Sequence, residues 1–471
     1  MKANIFFGSD EVIREDLEKI INPFTNKVVT YYPKCTKEDA LKALEIAQKA
    51  SKNTKASPLS QRVAWLEDVA NKLEQNKEDF ALSLCDEVGK PITFARVEVD
   101  RCIETIKLSA YAMVNLDGHT INTDAMPSGK KTTAYYLREP VGVVACITPF
   151  NFPLNLIAHK IAPALVAGNS VVLKPTPEAP RTAYKFAKLF IESKYAIKDA
   201  LSVVYGDVEV GSTLVESTIP RVLSFTGSVA VGNIIARSAG IKKVSLELGG
   251  NAATFIDKTA DIQNAAKRCA FGAFVNSGQV CISLQRIYVD ESIYDKFANT
   301  LKIETEKLTV GNPYEDDTFL GPLINEESIR RAKSWCNSAI SEGAICLCGN
   351  KADGLNFYPT IMTNVTDDMK IVCEEVFAPI VSLVKVSSYE EAISKMNNSP
   401  YGLQFSIFTN NLAQTKQFIN EAECGGVVIN DIPTLRFDIQ PYGGTKLSGI
   451  GKEGPMFAIE EFTQIKSVVI C

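Results

Sequence analysis

The sequence predicts an α/β protein of two lobes with a small β ribbon attached. Three observations carry this. From Val141 onward, near-continuous apolar runs alternate with amphipathic segments of helix length; the alternation restarts after Leu248; and a Thr- and Tyr-rich stretch at 118–140 fits neither series. Strands apolar on both faces and joined by crossover helices make a parallel sheet of Rossmann type. At 471 residues the chain is too long for one ordinary core, so two or three domains are expected.

Taken in order, residues 16–34 read as a hairpin turning at Asn22-Pro23-Phe24-Thr25-Asn26. Thr36 caps a helix, with Asp39 completing a capping box. Helical spacing of apolar residues recurs over Ala40–Ala50, Val63–Leu84 and Val97–Met113. Residues 118–140 form a second hairpin around Pro127-Ser128-Gly129. An isolated hairpin is marginal in water, and the tail Gln464–Ile470 is its candidate third strand. Two distant segments meeting in one exposed ribbon suggest an oligomer contact.

The first α/β series has strands at Val141–Pro149, Asn169–Pro175, Leu201–Tyr205, Arg221–Phe225 and Val244–Leu248. Its helices cover Leu156–Ala167, Ala183–Ser193, Val208–Glu216 and Val229–Ala239. In the second, strands fall at Ala252–Ile256, Gln285–Val289, Tyr358–Met362, Ile380–Val386, Ser406–Phe408 and Val427–Asn430. Helices there cover Ile262–Asn276, Ile293–Lys307, Glu327–Glu342, Tyr389–Met396 and Leu412–Glu421.

Composition excludes several function classes. A net charge of −5 leaves no electrostatic footprint for nucleic acid. No apolar run reaches membrane-spanning length, and Asp10 and Glu11 stand where a signal peptide needs its apolar core. The twelve cysteines contain no CxxC pair and read as reduced thiols, so a cytoplasmic location is expected. With only His119 and His159, neither a Ser–His–Asp triad nor a His-rich metal site is buildable, and no metal is expected.

The stretch FGAFVNSGQVCISLQR, Phe271–Arg286, sets Cys281 on a small-residue turn between a helix and a strand. Helix-start amides nearby would lower its pKa and favour the nucleophilic thiolate; a lone cysteine is otherwise a small core hydrophobe. In FTGSVAVGN, Gly227, Ser228 and Gly232 open a helix whose amides can hold a phosphate, although strand–Gly–Ser–helix is also ordinary turn chemistry. Lys174 ends a parallel strand, where open α/β sheets bind ligands, or else snorkels into water. Asn151 lies in the rigid loop ITPFNFP, where a primary amide can donate to an oxyanion or bond its own backbone. Glu247 in SLELGGN is a carboxylate in an apolar run, costly unless paired or functional, and a candidate general base. In CEEVFAPI, Glu375 and Phe377 share a face if extended, to accept from a ribose and pack on a flat ring.

The ordered set TPFNFP, LKP, FTGS, ELGGN, GQVC, EEVFAP and PYGGTKLSGIGKEG resembles the NAD(P)-dependent aldehyde dehydrogenase superfamily along essentially the whole chain. Each pattern is common singly; seven in register are specific. The resemblance implies that Cys281 is the nucleophile, Glu247 the general base, and Asn151 with the Cys281 amide the oxyanion hole. It implies cofactor contacts from Ile147, Thr148, Pro149, Phe150, Lys174, Pro177, Gly206, Gly211, Phe225, Thr226, Gly227, Ser228, Leu248, Glu375 and Phe377. It also implies a Rossmann-like cofactor domain (1–117 and 141–248), a catalytic domain (249–445) and a bridging ribbon (118–140 and 453–471) in a homodimer or homotetramer.

Two departures bear on specificity. Many NAD-preferring relatives carry a Glu three residues after the strand-end lysine; here Pro177 stands there with Glu178 next, which leaves both NAD and NADP open. Val280 precedes Cys281 where relatives acting on phosphorylated aldehydes often have Arg, which weighs against a strongly anionic substrate. Arg436 is a candidate substrate contact, or else pairs with Asp438 or Asp431 at the surface. The tail motif is similar to that of lactaldehyde, glycolaldehyde or glyceraldehyde dehydrogenases. The alternatives are a semialdehyde dehydrogenase (succinate semialdehyde), a catalytically silent homologue, and a cysteine hydrolase without cofactor.

Overall fold

The computed structural model describes residues 1–116 and 118–471, so the expected boundary at Asp117 lies outside the described residues. The two apolar series become two sheets. Five parallel strands form the centre of the first, in spatial order Leu201–Val203, Ser170–Lys174, Val143–Ile147, Val222–Thr226 and Lys243–Glu247. Chain order therefore reverses at Val143–Ile147, the switch point at which open α/β sheets leave a crevice beyond their strand ends.

Both edges of this sheet are antiparallel. Ile5–Phe7 joins beside Leu201–Val203 and itself pairs with Asp10–Val12, while Gly449–Ile450 lies against Lys243–Glu247. Sequence reading missed these short strands. They carry too few residues to show a period, and their stability comes from the sheet edge they cover. The helix Asn155–Val166 is buried over its whole length, which its all-round apolarity requires, yet it carries His159 and Lys160 inward.

Thr36 and Asp39 make the expected reciprocal capping box on the helix Lys37–Ala56. The single helical stretch expected over Val63–Leu84 is instead two helices, Leu59–Gln75 and Lys77–Val88. Asn76, at φ −110° and ψ 18°, breaks the ladder and turns the second apolar stripe onto the core.

The second sheet places Thr360–Thr363, Ile380–Val386, Leu284–Asp290, Ala252–Ile256, Gln404–Phe408 and Gly426–Ile429 in parallel, with Ile345–Cys348 antiparallel at one edge. The ribbon pairs Thr133–Pro140 with Thr463–Ile470 along its full length and with His119–Thr120 on the other side. Ala458, Ile459 and Phe462 sit in the core of the first sheet, so only the last part of 453–471 belongs to the ribbon. No helix among the described residues is long and apolar enough to cross a membrane.

Candidate active site

Between the two sheets lies a cavity of about 840 Å³ lined by residues from both, including Asn151, Glu247 and Cys281. Its floor is built by a rare backbone. Asn276, Ser277 and Gly278 take φ of 53°, 55° and 69° in succession, a left-handed turn between the helix Ile262–Phe274 and Cys281. Such conformations cost non-glycine residues of order 1 kcal/mol each and persist where surroundings over-determine them. Here Ser277 Oγ donates to Gly321 O at 2.7 Å, and Asn276 Nδ2 donates to the carbonyls of Asn151 and Gln279, both at 3.3 Å. A β-carbon at Gly278 would collide with the Ala378 carbonyl.

The thiol itself departs from expectation. Cys281 is not at a helix start, and burial pushes it up to about 11. Tyr442 and Arg436 pull it down, while Glu375 and Glu247 push it further up. The resting group is a protonated thiol, not the activated thiolate predicted from the turn. Its sulfur lies 2.8 Å from the Tyr442 hydroxyl.

Asn151 is held at three points. Its Nδ2 donates to Gln279 O at 3.1 Å, which leaves its second N–H uncommitted, and its Oδ1 is buried without a hydrogen-bond partner among the described residues. Its carbonyl accepts from Lys90 Nζ at 2.7 Å. Lys90 is ion-paired to Glu98 in the interior, and Glu98 Oε1 accepts the amides of Leu154 (2.9 Å) and Asn155 (3.2 Å). One buried ion pair thus grips the Asn151 loop at both ends. The Cys281 backbone N–H has no partner among the described residues.

Glu247 ends the strand Lys243–Glu247, buried, with neither carboxylate oxygen hydrogen-bonded among the described residues. Burial and then the charge of Glu453 push it well above its usual range, which makes it a stronger base when ionised. Burial also works against the Glu453 charge, but Lys160, His159 and Arg436 hold that group down to about 2. Lys160 Nζ lies 2.8 Å from Glu453. The two glycines after Glu247 have a steric purpose: a β-carbon on Gly249 would strike Glu375, and one on Gly250 would strike the Cys281 carbonyl.

Arg436 is not a surface residue. Its side chain is 9% exposed, with its guanidinium carbon 3.7 Å from the Tyr442 ring centroid and nitrogens 3.6 Å from Glu453 and 3.7 Å from Asp438. The expected pairing with Asp438 is thus present but interior, and Asp438 is shared with Arg101 at 2.9 and 2.7 Å, while Asp431 pairs with Arg268 at 2.6 Å.

The residues expected to hold a cofactor divide into two groups. Pro149, Phe150, Thr226, Gly227, Ser228, Leu248, Glu375 and Phe377 line the cavity. Ile147, Thr148, Lys174, Pro177, Gly206, Gly211 and Phe225 do not. Most of these sit along the strand ends: Ile147 is in register with both Lys174 and Phe225, the Thr148 amide donates to Lys174 O at 3.2 Å, and Gly211 opens onto the Lys174 stem. Gly206 packs under Val210, and Pro177 precedes Glu178, which accepts from Thr176 Oγ1.

Lys174 is buried, which pushes its pKa down, while Glu178 and Asp207 pull it up. Ser228 Oγ accepts from the Val231 amide and so caps the helix Val229–Ser238. Glu375 and Phe377 do not share a face by extension. Phe377 adopts φ 49°, and this kink turns its ring edge-on to Phe150 at 5.9 Å, while Glu375 accepts from the Gly250 amide at 3.0 Å.

These residues fit a dinucleotide. At the strand ends Thr148 Oγ1 is a buried hydroxyl without a partner among the described residues and the Thr148 amide donates to the Lys174 carbonyl, while the cavity supplies the Glu375 carboxylate and the Phe150 and Phe377 rings. Sequence reading missed Tyr442, Lys90, Glu98 and Glu453. Tyr442 and Glu453 did lie within the run PYGGTKLSGIGKEG; for Lys90 and Glu98 the only signal was a lysine and a glutamate flanking a helix start.

The profile described as "Aldehyde dehydrogenase family" matches residues 12–468. A 3-sulfolactaldehyde dehydrogenase from Priestia aryabhattai is 44% identical over 464 residues, covering 98% of this chain and 96% of the relative. A lactaldehyde dehydrogenase from Methanococcus aeolicus is 38% identical over 470 residues, covering 99% of each. The crystal structure of glyceraldehyde-3-phosphate dehydrogenase GapN from Methanocaldococcus jannaschii, complexed with NADP, is 40% identical with a TM-score of 0.93, covering 98% of this chain and 100% of that one.

Proposed function

The chain belongs to the aldehyde dehydrogenase family and is an NAD(P)-dependent oxidoreductase acting on aldehydes, and from that premise we propose that it converts a short 2-hydroxyaldehyde to its carboxylic acid through Cys281. The observation that carries this reading is one cavity lined by Cys281, Asn151 and a Glu247 whose carboxylate has no hydrogen-bond partner among the described residues.

In this reading the Cys281 thiol gives its proton to Glu247 and its sulfur adds to the aldehyde carbon. The oxygen, now carrying the charge, is met by the free N–H of Asn151 and the Cys281 amide. Losing one such donor typically costs about 10²–10³ in turnover. Bound NAD(P)+ supplies the acceptor for the hydride that leaves the thiohemiacetal carbon. Glu247 releases the thiol proton to solvent and, again a carboxylate, takes a proton from the water that hydrolyses the thioester; that proton then returns to the departing sulfur. Lys174, Ser228 and the Thr148 hydroxyl on the lobe 1–117 and 141–248, with Glu375 and Phe377 from the lobe 249–445, are the groups that would hold the cofactor. The lobe 249–445 would carry the nucleophile.

The relatives named for lactaldehyde and sulfolactaldehyde support a hydroxyaldehyde substrate. A second reading, an aldehyde with an acidic far end, is favoured by Arg101 and Arg268 lining the same cavity beside Phe94 and Phe271. The ribbon of His119–Thr120, Thr133–Pro140 and Thr463–Ile470 supports a homodimer or homotetramer. Twelve free cysteines support a cytoplasmic enzyme, and the acidic balance supports a protein with neither nucleic acid nor membrane as partner.

Initial rates on lactaldehyde, glycolaldehyde, glyceraldehyde, succinate semialdehyde and sulfolactaldehyde, each with NAD and NADP, test the substrate. The highest kcat/KM is expected on a three-carbon hydroxyaldehyde. Cys281→Ala is expected to abolish oxidation while retaining cofactor binding, and Glu247→Gln, which removes the base for both the thiol and the water, to slow the first burst of reduced cofactor as well as steady turnover. Steady turnover in Cys281→Ala would sink the mechanism.

A further inference from the structure

We infer that Tyr442 is a catalytic residue whose hydroxyl donates to the Cys281 sulfur whenever that sulfur carries negative charge in the cycle, with Arg436 stacked on the ring to strengthen that donor. The inference rests on Cys281 being the nucleophile.

The geometry is specific. Tyr442 is buried, and among the described residues the Cys281 sulfur, at 2.8 Å, is its hydroxyl's partner. The ring is immobilised from two sides. Its backbone exchanges hydrogen bonds with Glu453 in both directions, at 3.0 and 2.6 Å, and the Glu453 side chain is anchored by Lys160. The Arg436 guanidinium covers the ring face at 3.7 Å. A cation over an aromatic face withdraws electron density from the ring, which makes the phenolic O–H a better donor. Gly443 lets this turn run against the active site, because a β-carbon there would meet Glu247 Oε1 at 2.8 Å.

The charged and titratable groups facing the sulfur are Tyr442, Arg436, Glu375 and Glu247. The two carboxyl groups oppose a thiolate; Tyr442 and Arg436 favour it. Burial holds the Tyr442 phenol far above its usual value, so the hydroxyl keeps the proton it must donate. No bond to Tyr442 breaks in the cycle. The thiol proton passes to Glu247, and the Tyr442 hydroxyl donates to the sulfur it leaves behind. When the thioester is hydrolysed, the departing sulfur carries negative charge again, and the same donor receives it. Tyr442 therefore assists both the formation and the breakage of the carbon–sulfur bond.

The test is the rate at which iodoacetamide alkylates Cys281 as a function of pH, read by peptide mass spectrometry so that the other cysteines do not interfere. In Tyr442→Phe, which keeps the ring, the alkylation midpoint is expected to move up by about 1 pH unit or more, with about ten-fold slower alkylation and acylation at neutral pH. Cofactor affinity should be unchanged. A fluorinated tyrosine at 442, of nearly the same shape but with a more acidic hydroxyl, should move the midpoint down. Superimposable profiles for wild type and Tyr442→Phe would overturn the role of Tyr442 while leaving the nucleophile standing. Turnover without Cys281 would instead remove the reading on which it rests.

Discussion

Glu375 accepts the Gly250 amide on the wall of the cavity, and the balance of forces on it has a measurable consequence. Burial pushes its carboxyl up, against the Gly250 hydrogen bond and Arg331, to about 7 from 4.5. A carboxyl raised in the folded state contributes stability that is complete below pH 4.5 and is lost as pH rises through 7. Wild type is therefore expected to lose stability relative to Glu375→Gln across that window, with a constant difference above it. Urea unfolding of both proteins at pH 4.5, 6, 7 and 8 checks this; parallel curves throughout would refute it. The same residue is the proposed acceptor for a ribose hydroxyl, so bound cofactor should narrow the difference.

Among the elements, the loop Asn151–Asn155 depends on a device outside itself. Lys90 holds its first carbonyl and Glu98 its last amides. Removing one member of a buried ion pair strands the other charge, typically at about 3–5 kcal/mol, whereas replacing both is often nearly neutral. Lys90→Met should therefore destabilise strongly, and Lys90→Met with Glu98→Gln should recover much of that stability. Turnover should not recover, because the oxyanion amide has lost its fixed loop. Denaturant midpoints beside kcat separate the two effects; recovery of both together would argue against the clamp. The helical and strand periods of this region were legible from apolar spacing alone. The clamp was not, because Lys90 and Asn151 are 61 residues apart and no local period encodes their meeting.

At the scale of the molecule, the ribbon leaves the strand Thr463–Ile470 as an uncovered eight-residue edge with Ile465 and Val469 more than half exposed. Such an edge is an association surface unless something pairs with it. Ile465→Lys with Val469→Lys is expected to shift the protein to a smaller species in light scattering, with the unfolding midpoint of each subunit little changed. An unaltered mass would overturn the ribbon edge as an association surface.

The sequence by itself determined the alternation of strands and helices, the two sheet series, the Thr36 capping box, the tail as third strand of the ribbon, and Cys281, Glu247 and Asn151 as one chemical set. Each follows from local periodicity, turn chemistry or an ordered group of motifs. Tertiary structure decided the rest: that the Cys281 thiol is protonated at rest, that Phe377 kinks instead of extending, that Arg436 is interior, and that Tyr442 reaches the sulfur. These are matters of burial and of distances between segments up to 161 residues apart, as for Cys281 and Tyr442. Both arise only when two sheets close on each other and exclude water, and neither is carried by the order of residues along either one.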